Sequence, residues 1–490
     1  MIFIKLAVSS KTTFMLQYKD INKLSELKNG FTHSWVEPDF IFRSLKCFSF
    51  SGMNKELSLL KTKGYGFDWI MSMLITMPFI GVKTVNGLST LVQARKDVFY
   101  RIKNNSSISW RYILWLFAVK FNKIANQEYD NERVKCLIFD DSTLQKTGKL
   151  IEKASYIWDH VQHKCVIGFK FLLMGYWDGT SFIPLDFSLH REEGQNKEKP
   201  YGLRKKDLKK QYKKKRSSAT HAYDRAKEAD DSKIVSMLKM LKRAVAHGFR
   251  FDYVLVDSWF TCEALVDAVL GIKNQVTHLI GMYKNGKTFF TFRDKQQTYS
   301  QIRNCQGTPK RCRKLKLYYH QAKVKLKGKD LQLFFSKQGK NGKWKVILTT
   351  DTTISFIRLI EIYQIRWTIE VFFKESKQLL ALGKCQSNDF DAQIADLTIT
   401  MIQYMLLTIR YRYDTYESKG ALFDQVKEQI IQQRLNERLW GLFVELVQLL
   451  ANLFDGIDEM ELFEKIVTDE LTMRKLTKMF QLINESYEAA

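Results

Sequence analysis

The stretch IYQIRWTIEVFFKESK, Ile362 to Lys377, sets Tyr363, Arg366, Glu370 and Lys377 at offsets of zero, three, seven and fourteen. On one α-helix turning by about 100° per residue, these four fall within an arc of about 60°. Ile365, Ile369, Phe372, Phe373, Leu379 and Leu380 fill a separate apolar arc. The spacing thus predicts a single helix on which one carboxylate stands among two cations and a phenol. Unpaired charges are costly to bury, so such a face meets either solvent, with helical ion pairs, or a charged ligand. The chemistry on offer suits a phosphate ester. A carboxylate holds a hard cation, arginine forks onto phosphate oxygens, lysine adds a point charge and tyrosine donates one hydrogen bond.

The Y-x2-R-x3-E-x6-K spacing resembles the signature of the bacterial DDE transposases typified by insertion sequence four. The resemblance implies that Glu370 is the third catalytic acid of a ribonuclease H-like domain, and that Tyr363, Arg366 and Lys377 contact the transposon end. It also requires two aspartates upstream, at strand ends. VKCLIFDDST carries a strand-like apolar run into Asp140, and FDYVLVDSWF carries another into Asp257. Asp141 is adjacent to Asp140, and neighbouring side chains on a strand face opposite ways. Asp140 is preferred because it directly ends the apolar run, as Asp257 does, and because Ser142 completes an apolar-D-x-[S/T] pattern.

Asp140, Asp257 and Glu370 are therefore the expected ligands of two Mg2+ ions, with Mn2+ as a substitute. Such ions, about 3.5–4 Å apart, activate the attacking oxygen and stabilise the leaving one. The resemblance spans roughly residues 130 to 410 and implies cut-and-paste transposition: hydrolysis at the element's end, hairpin formation by the freed 3′-hydroxyl, hairpin opening and strand transfer. Its partners are double-stranded DNA at the ends and in the target, with a homodimer in the DNA complex. Family members stack a flipped base on an aromatic side chain; Trp259 and Trp344 are candidates, though ordinary packing accounts for either. Two other readings compete: a transposase descendant that binds DNA without cutting it, and a metal-dependent nuclease that never joins strands.

The 490-residue chain carries 78 Lys+Arg against 52 Asp+Glu, a net charge of +26. That excess implies a polyanionic partner, nucleic acid ahead of an anionic membrane surface. The apolar runs Trp69–Ile80 and Tyr112–Val119 are too short to span a bilayer, and MIFIKLAVSS lacks the apolar core of a signal peptide. The expected location is the cytoplasm of a bacterium, at the nucleoid. Seven scattered cysteines without a CxxC pair argue against a disulfide framework. Cys305, Cys312 and His320 match no common zinc spacing, and His160 and His163 read as surface histidines.

The acids must be positioned by an α/β fold, a ribonuclease H-like core with a β-rich insertion, flanked by helical N- and C-terminal regions. Residues 1–130 read as helical, with amphipathic segments at Asn54–Leu60, Phe67–Met77 and Trp110–Phe121, and are assigned to DNA-end binding. Residues 131–283 form the first part of the core: strands at VKCLIFD, KCVIGFKFLLMGYW and SFIPLDFSLH, a helix from Ala222 to His247, the strand YVLVD, a helix from Cys262 to Leu270 and a strand at Thr277–Met282. Residues 284–350 are the insertion, where Lys alternates with Leu, Val or Tyr as on half-buried strands with a cationic outer face. Residues 351–410 complete the core with the Glu370 helix, and 411–490 are helical. The densest charge run, RKKDLKKQYKKKR from Arg204 to Arg216, should be loop or frayed helix that clamps phosphate.

Overall fold

A computed structural model describes residues 64–126, 133–284, 288–413 and 418–427, apart from 83, 93, 340 and 426, with a few positions between 465 and 475. Residues 41–423 form one compact unit; residues 1–40 and 424–490 form another. The expected helices at Asn54–Leu60 and across Gln429–Phe454 lie outside the described residues.

Among the described residues of the unit 41–423, four helices come first: α1 (Phe67–Thr76), α2 (Val85–Leu91), α3 (Asp97–Lys103) and α4 (Trp110–Asn126). Then come β1 (Cys136–Gln145), β2 (Ser155–Asp159), β3 (Lys164–Trp177) and β4 (Phe182–His190). After a short helix, α5 (Lys205–Lys210), follow α6 (His221–Glu228), α7 (Lys233–Ala246), β5 (Tyr253–Val256), α8 (Glu263–Leu270) and β6 (His278–Tyr283). The single helix expected from Ala222 to His247 is thus two, because Ser232 starts α7 afresh, its side chain accepting from the Val235 amide.

β1 is the hinge of the sheet. It pairs antiparallel with β3 and parallel with β5, and β5 pairs parallel with β6. Its first four residues, Cys136–Phe139, are fully buried, as are Val254, Leu255 and Val256 of β5. Such unbroken apolar runs belong to strands covered on both faces. β4 joins the other edge of β3, beside the short β2, which the sequence pattern did not reveal.

Residues 284–350 are strand-rich as expected, with β7 (Phe289–Phe292), β8 (Lys295–Thr298), a short α9 (Tyr299–Asn304), β9 (Lys310–Cys312), β10 (Leu317–Leu326), β11 (Lys329–Gln338) and β12 (Lys345–Thr349). On β10, Ala322, Val324 and Leu326 are buried while Lys323 and Lys325 are exposed, the cationic alternation read from sequence. The insertion is no separate body, however. β12 pairs with β6, so the sheet runs without a break from β2 through β3, β1, β5, β6, β12, β11 and β10 to β7 and β8.

α10 (Phe356–Gln364) and α11 (Trp367–Leu379) replace the one helix expected across Ile362–Lys377. Between them the Ile365 and Arg366 amides donate to Ile362 and Tyr363, three residues back, which tightens the turn and ends the common face. α11 is anchored through Phe372 and Phe373, whose rings meet Phe182 and Phe171 of the sheet. α12 (Phe390–Tyr413) is long and apolar enough to cross a membrane, yet it is largely buried in the core. It packs on α4 and α1, and Gln403 donates to the carbonyls of Leu74 and Ile75 at the end of α1.

Within the basic run, expected as loop or frayed helix, Lys205–Lys210 form a short helix. Two of its cations do not face a phosphate clamp but are paired inside the protein. Arg216, 4% exposed, binds Glu152 at 2.7 Å and Asp391 at 2.8 Å; Lys214 reaches Asp389 at 3.0 Å and Asp391 at 2.8 Å. Only Arg204, Lys205, Lys206, Lys209, Lys210, Lys213 and Lys215 remain exposed. Because Asp391 is itself buried and serves both cations, Asp391→Ala removes one acid partner from each of two buried or half-buried charges. It should cost about 3–5 kcal/mol, read as a large fall in Tm, whereas Lys213→Ala should leave Tm nearly unchanged.

Candidate active site

Register brings the first two acids together. Phe139 of β1 lies opposite Val256 of β5, so Asp140 and Asp257, the next residue on each chain, leave the paired segment side by side. The Asp257 carboxylate is fixed by its own turn, Oδ1 accepting from the amides of Trp259 at 2.9 Å and Phe260 at 3.2 Å. This turn closes tightly over β6, where Gly281 faces Val256 and a Cβ would lie 2.3 Å from the Thr261 hydroxyl.

Glu370 arrives in the first turn of α11, and Arg366 joins it to the strands. One terminal nitrogen of Arg366 donates to Asp140 Oδ2 at 2.9 Å and the other to Glu370 Oε1 at 2.5 Å. Asp141 points elsewhere, to Lys233 at the start of α7, at 2.9 Å. The alternation of β1 therefore gives Asp140 to the helix that carries Glu370, and Asp141 to α7. Burial above all, and then the neighbouring Asp257 charge, lift the Asp140 carboxyl to about 7 against the opposing pull of Arg366. Burial also raises Asp257 above its usual range despite its two amide donors.

The remaining residues of the spacing lie around this centre in different settings. Tyr363, on α10, donates its hydroxyl proton to the Val256 carbonyl at 3.1 Å, and burial pushes it up to about 12. It thereby braces the residue just before Asp257. Lys377 is exposed and donates to the Ser142 hydroxyl at 2.8 Å, two residues beyond Asp140. Trp259 stands 48% exposed beside Asp257, with the Lys233 ammonium 3.9 Å from its ring centroid. Trp344 instead stacks on His320 and takes Lys337 over its ring. Lys233 was not singled out in the sequence. A lone lysine opening a helix carries no signal until its partner, 92 residues earlier, is known.

Hard carboxylate oxygens are the donors Mg2+ takes, and two of the three are adjacent here. Among the described residues no three His, Cys, Asp or Glu side chains are gathered closely enough to hold an ion. The Arg366 guanidinium occupies the interval between Asp140 and Glu370. The residues thus fit a divalent cation by donor chemistry, and one fixed cation already spans part of the set.

Residues 214–406 match a family described as a transposase DDE domain. The match takes in Asp257, Glu370 and the whole Tyr363–Lys377 spacing, begins well after Asp140 and covers less than half of the chain. It supports a DDE transposase, an enzyme class that acts on DNA and in general uses divalent metals. No curated protein matches the chain.

Cation binding is measurable without DNA. At ten times its Kd, Mn2+ should stabilise the wild-type chain by about 1.4 kcal/mol, seen as a rise in Tm. Asp140→Asn and Glu370→Gln should abolish that rise and Asp141→Asn should keep it; the reverse pattern would transfer the role of first acid to Asp141.

Proposed function

We propose that the protein is a transposase that moves a DNA element by cutting and rejoining phosphodiester bonds, with Asp140, Asp257 and Glu370 as its metal-binding acids. One observation supports the reading: the Arg366 guanidinium bridges Asp140 of β1 and Glu370 of α11, and the parallel register sets Asp257, after β5, beside Asp140. The strand pattern supports a ribonuclease H-like core, since three antiparallel strands, β4, β3 and β1, are followed by alternating helix and strand with β5 and β6 parallel to β1.

The chain's own groups divide the work. Asp140, Asp257 and Glu370 would hold two Mg2+ ions, which when bound supply activation of the attacking oxygen and charge relief at the leaving oxygen. Arg366 keeps the acids neutralised while no substrate is present, and turns a nitrogen to a phosphate oxygen when DNA enters. Lys377, exposed beside Asp140, adds a point charge to the same strand. Tyr363 holds the Val256–Asp257 step and so serves the DNA contact indirectly. The exposed lysines of residues 204–215 and the outer face of β10 supply sequence-independent attraction to double-stranded DNA, at the element's ends and in the target. Two copies of the chain, one per end, complete the DNA complex.

Joining separates this reading from simple hydrolysis. With a labelled duplex bearing the element's end, the purified protein and Mg2+ should give a hairpin-ended species on a denaturing gel. Asp257→Ala should remove it, as should a dideoxy end at the first cut. Linear products alone would favour a nuclease.

The charge assignment is tested by salt. Neutralising Lys205, Lys206, Lys209, Lys210 and Lys213 together should flatten the slope of log affinity against log salt by up to about 4–5, without loss of Tm. An unchanged slope would make this segment a solvated surface.

A further inference from the structure

Beside the acids a cavity of about 510 Å³ runs along the second half of β1, from Asp141 to Gln145. The turn between β2 and β3 forms one wall, and three cations, Lys170, Lys377 and Lys384, line it with two carboxylates, Asp141 and Asp159, of which Asp141 is paired with Lys233. Lys170 is the unusual member. It is 4% exposed, and its ammonium donates to the Trp158 carbonyl at 2.6 Å and the Thr143 hydroxyl at 3.4 Å. Among the described residues it forms no ion pair. Asp159 acts on it through space, but Asp159 Oδ1 is taken by the amides of Val161 and Gln162.

Lys377, though exposed, also donates to neutral oxygens, the Ser142 hydroxyl and the Thr143 carbonyl, with Asp159 acting on it only through space. Other buried cations are matched with acids, Lys103 with Asp396, Arg216 with Glu152 and Arg412 with Asp178, while Lys146 also rests on neutral carbonyls, those of Gly383 and Cys385, but does not line the cavity. A buried ammonium with only neutral acceptors is costly. Such a buried group, Lys170, with the exposed Lys377 and Lys384 near it, makes this open cavity a place for an anion.

We propose that this cavity seats a backbone phosphate of the DNA strand lying in the acid site, with Lys170 at its base and Lys377 and Lys384 at its mouth. This rests on the transposase reading and names a binding residue, Lys170, beyond the Tyr363–Lys377 spacing. Thr143, which touches Lys170, is three residues along β1 from Asp140, about 10 Å at strand spacing. That distance suits a phosphate neighbouring the one at the acids rather than the scissile group itself. The cavity would then bias which way the strand leaves the site, toward the second half of β1 where these lysines lie.

The test uses the full chain, a short duplex of arbitrary sequence, and inorganic phosphate as a separate probe. Lys170→Gln should lower the slope of log affinity against log salt by about 0.9, with Lys170→Arg restoring it. Should Lys170→Gln fail to fold, Lys384→Gln at the exposed mouth should give a similar loss and cannot disturb the core. In the folded variants an unchanged slope overturns the proposal. So does a phosphate-induced rise in Tm that Lys170→Gln loses while its DNA slope stays as in the wild type, since the cavity would then hold a free anion. The transposase reading fails separately: if Asp140→Asn and Glu370→Gln still cut DNA, the acids are misassigned, whatever the lysine variants do.

Discussion

The site depends on the parallel register between β1 and β5. Sliding β5 by one residue would exchange the packing positions of Val254, Leu255 and Val256 and carry Asp257 away from Asp140. The register is held from several sides at once. β1 is pinned by β3 over its whole length, β5 by β6, and the carbonyl of Val256 by the Tyr363 hydroxyl. The third acid needs no strand. Phe372 and Phe373 lock α11 against Phe182 and Phe171, and Glu370 and Arg366 project from the anchored helix. Apolar packing thus does the positioning, and the ionic contacts take up the geometry it leaves.

Charge is apportioned by burial. Inside, acids and cations form closed groups: Asp186 and Glu228 with Arg111, Arg225 and Arg243, and Glu152, Asp389 and Asp391 with Lys214 and Arg216. These groups tie the N-terminal helices and the segment after α5 to the strands and α12. They add little to the attraction of a polyanion, because their fields largely cancel at a distance. The net excess of 26 positive charges is expressed at the surface and at the few sites, such as Lys170 and Lys377, where cations rest on neutral oxygens.

The sequence showed those parts of the fold whose cause is local. The runs ending at Asp140 and Asp257 were legible because strands covered on both faces are apolar at every position, and β10 because it alternates. The break between α10 and α11 was not legible: Ile365 and Arg366 are ordinary helix residues, and the partners of the side chains flanking it, Val256 and Asp140, are distant in sequence. The fate of Lys214 and Arg216 was hidden for the same reason, their partners lying up to 177 residues away. β2, β8 and β9 are three to five residues long and carry too few side chains to set a period. The choice between Asp140 and Asp141 sharpened only when each acquired its own cation, Arg366 and Lys233.

The pairing of β12 with β6 changes what residues 284–350 are to the rest of the protein. A module attached through two loops can be trimmed away with little harm. Here, excision would strip the hydrogen-bonding partners from Ile280 to Tyr283 and leave a core strand as a raw edge, open to other chains. A shortened relative of this protein would have to cap β6 with new charge, a proline or a covering helix to stay soluble. The segment is therefore as much a guard against aggregation as an extension of the sheet.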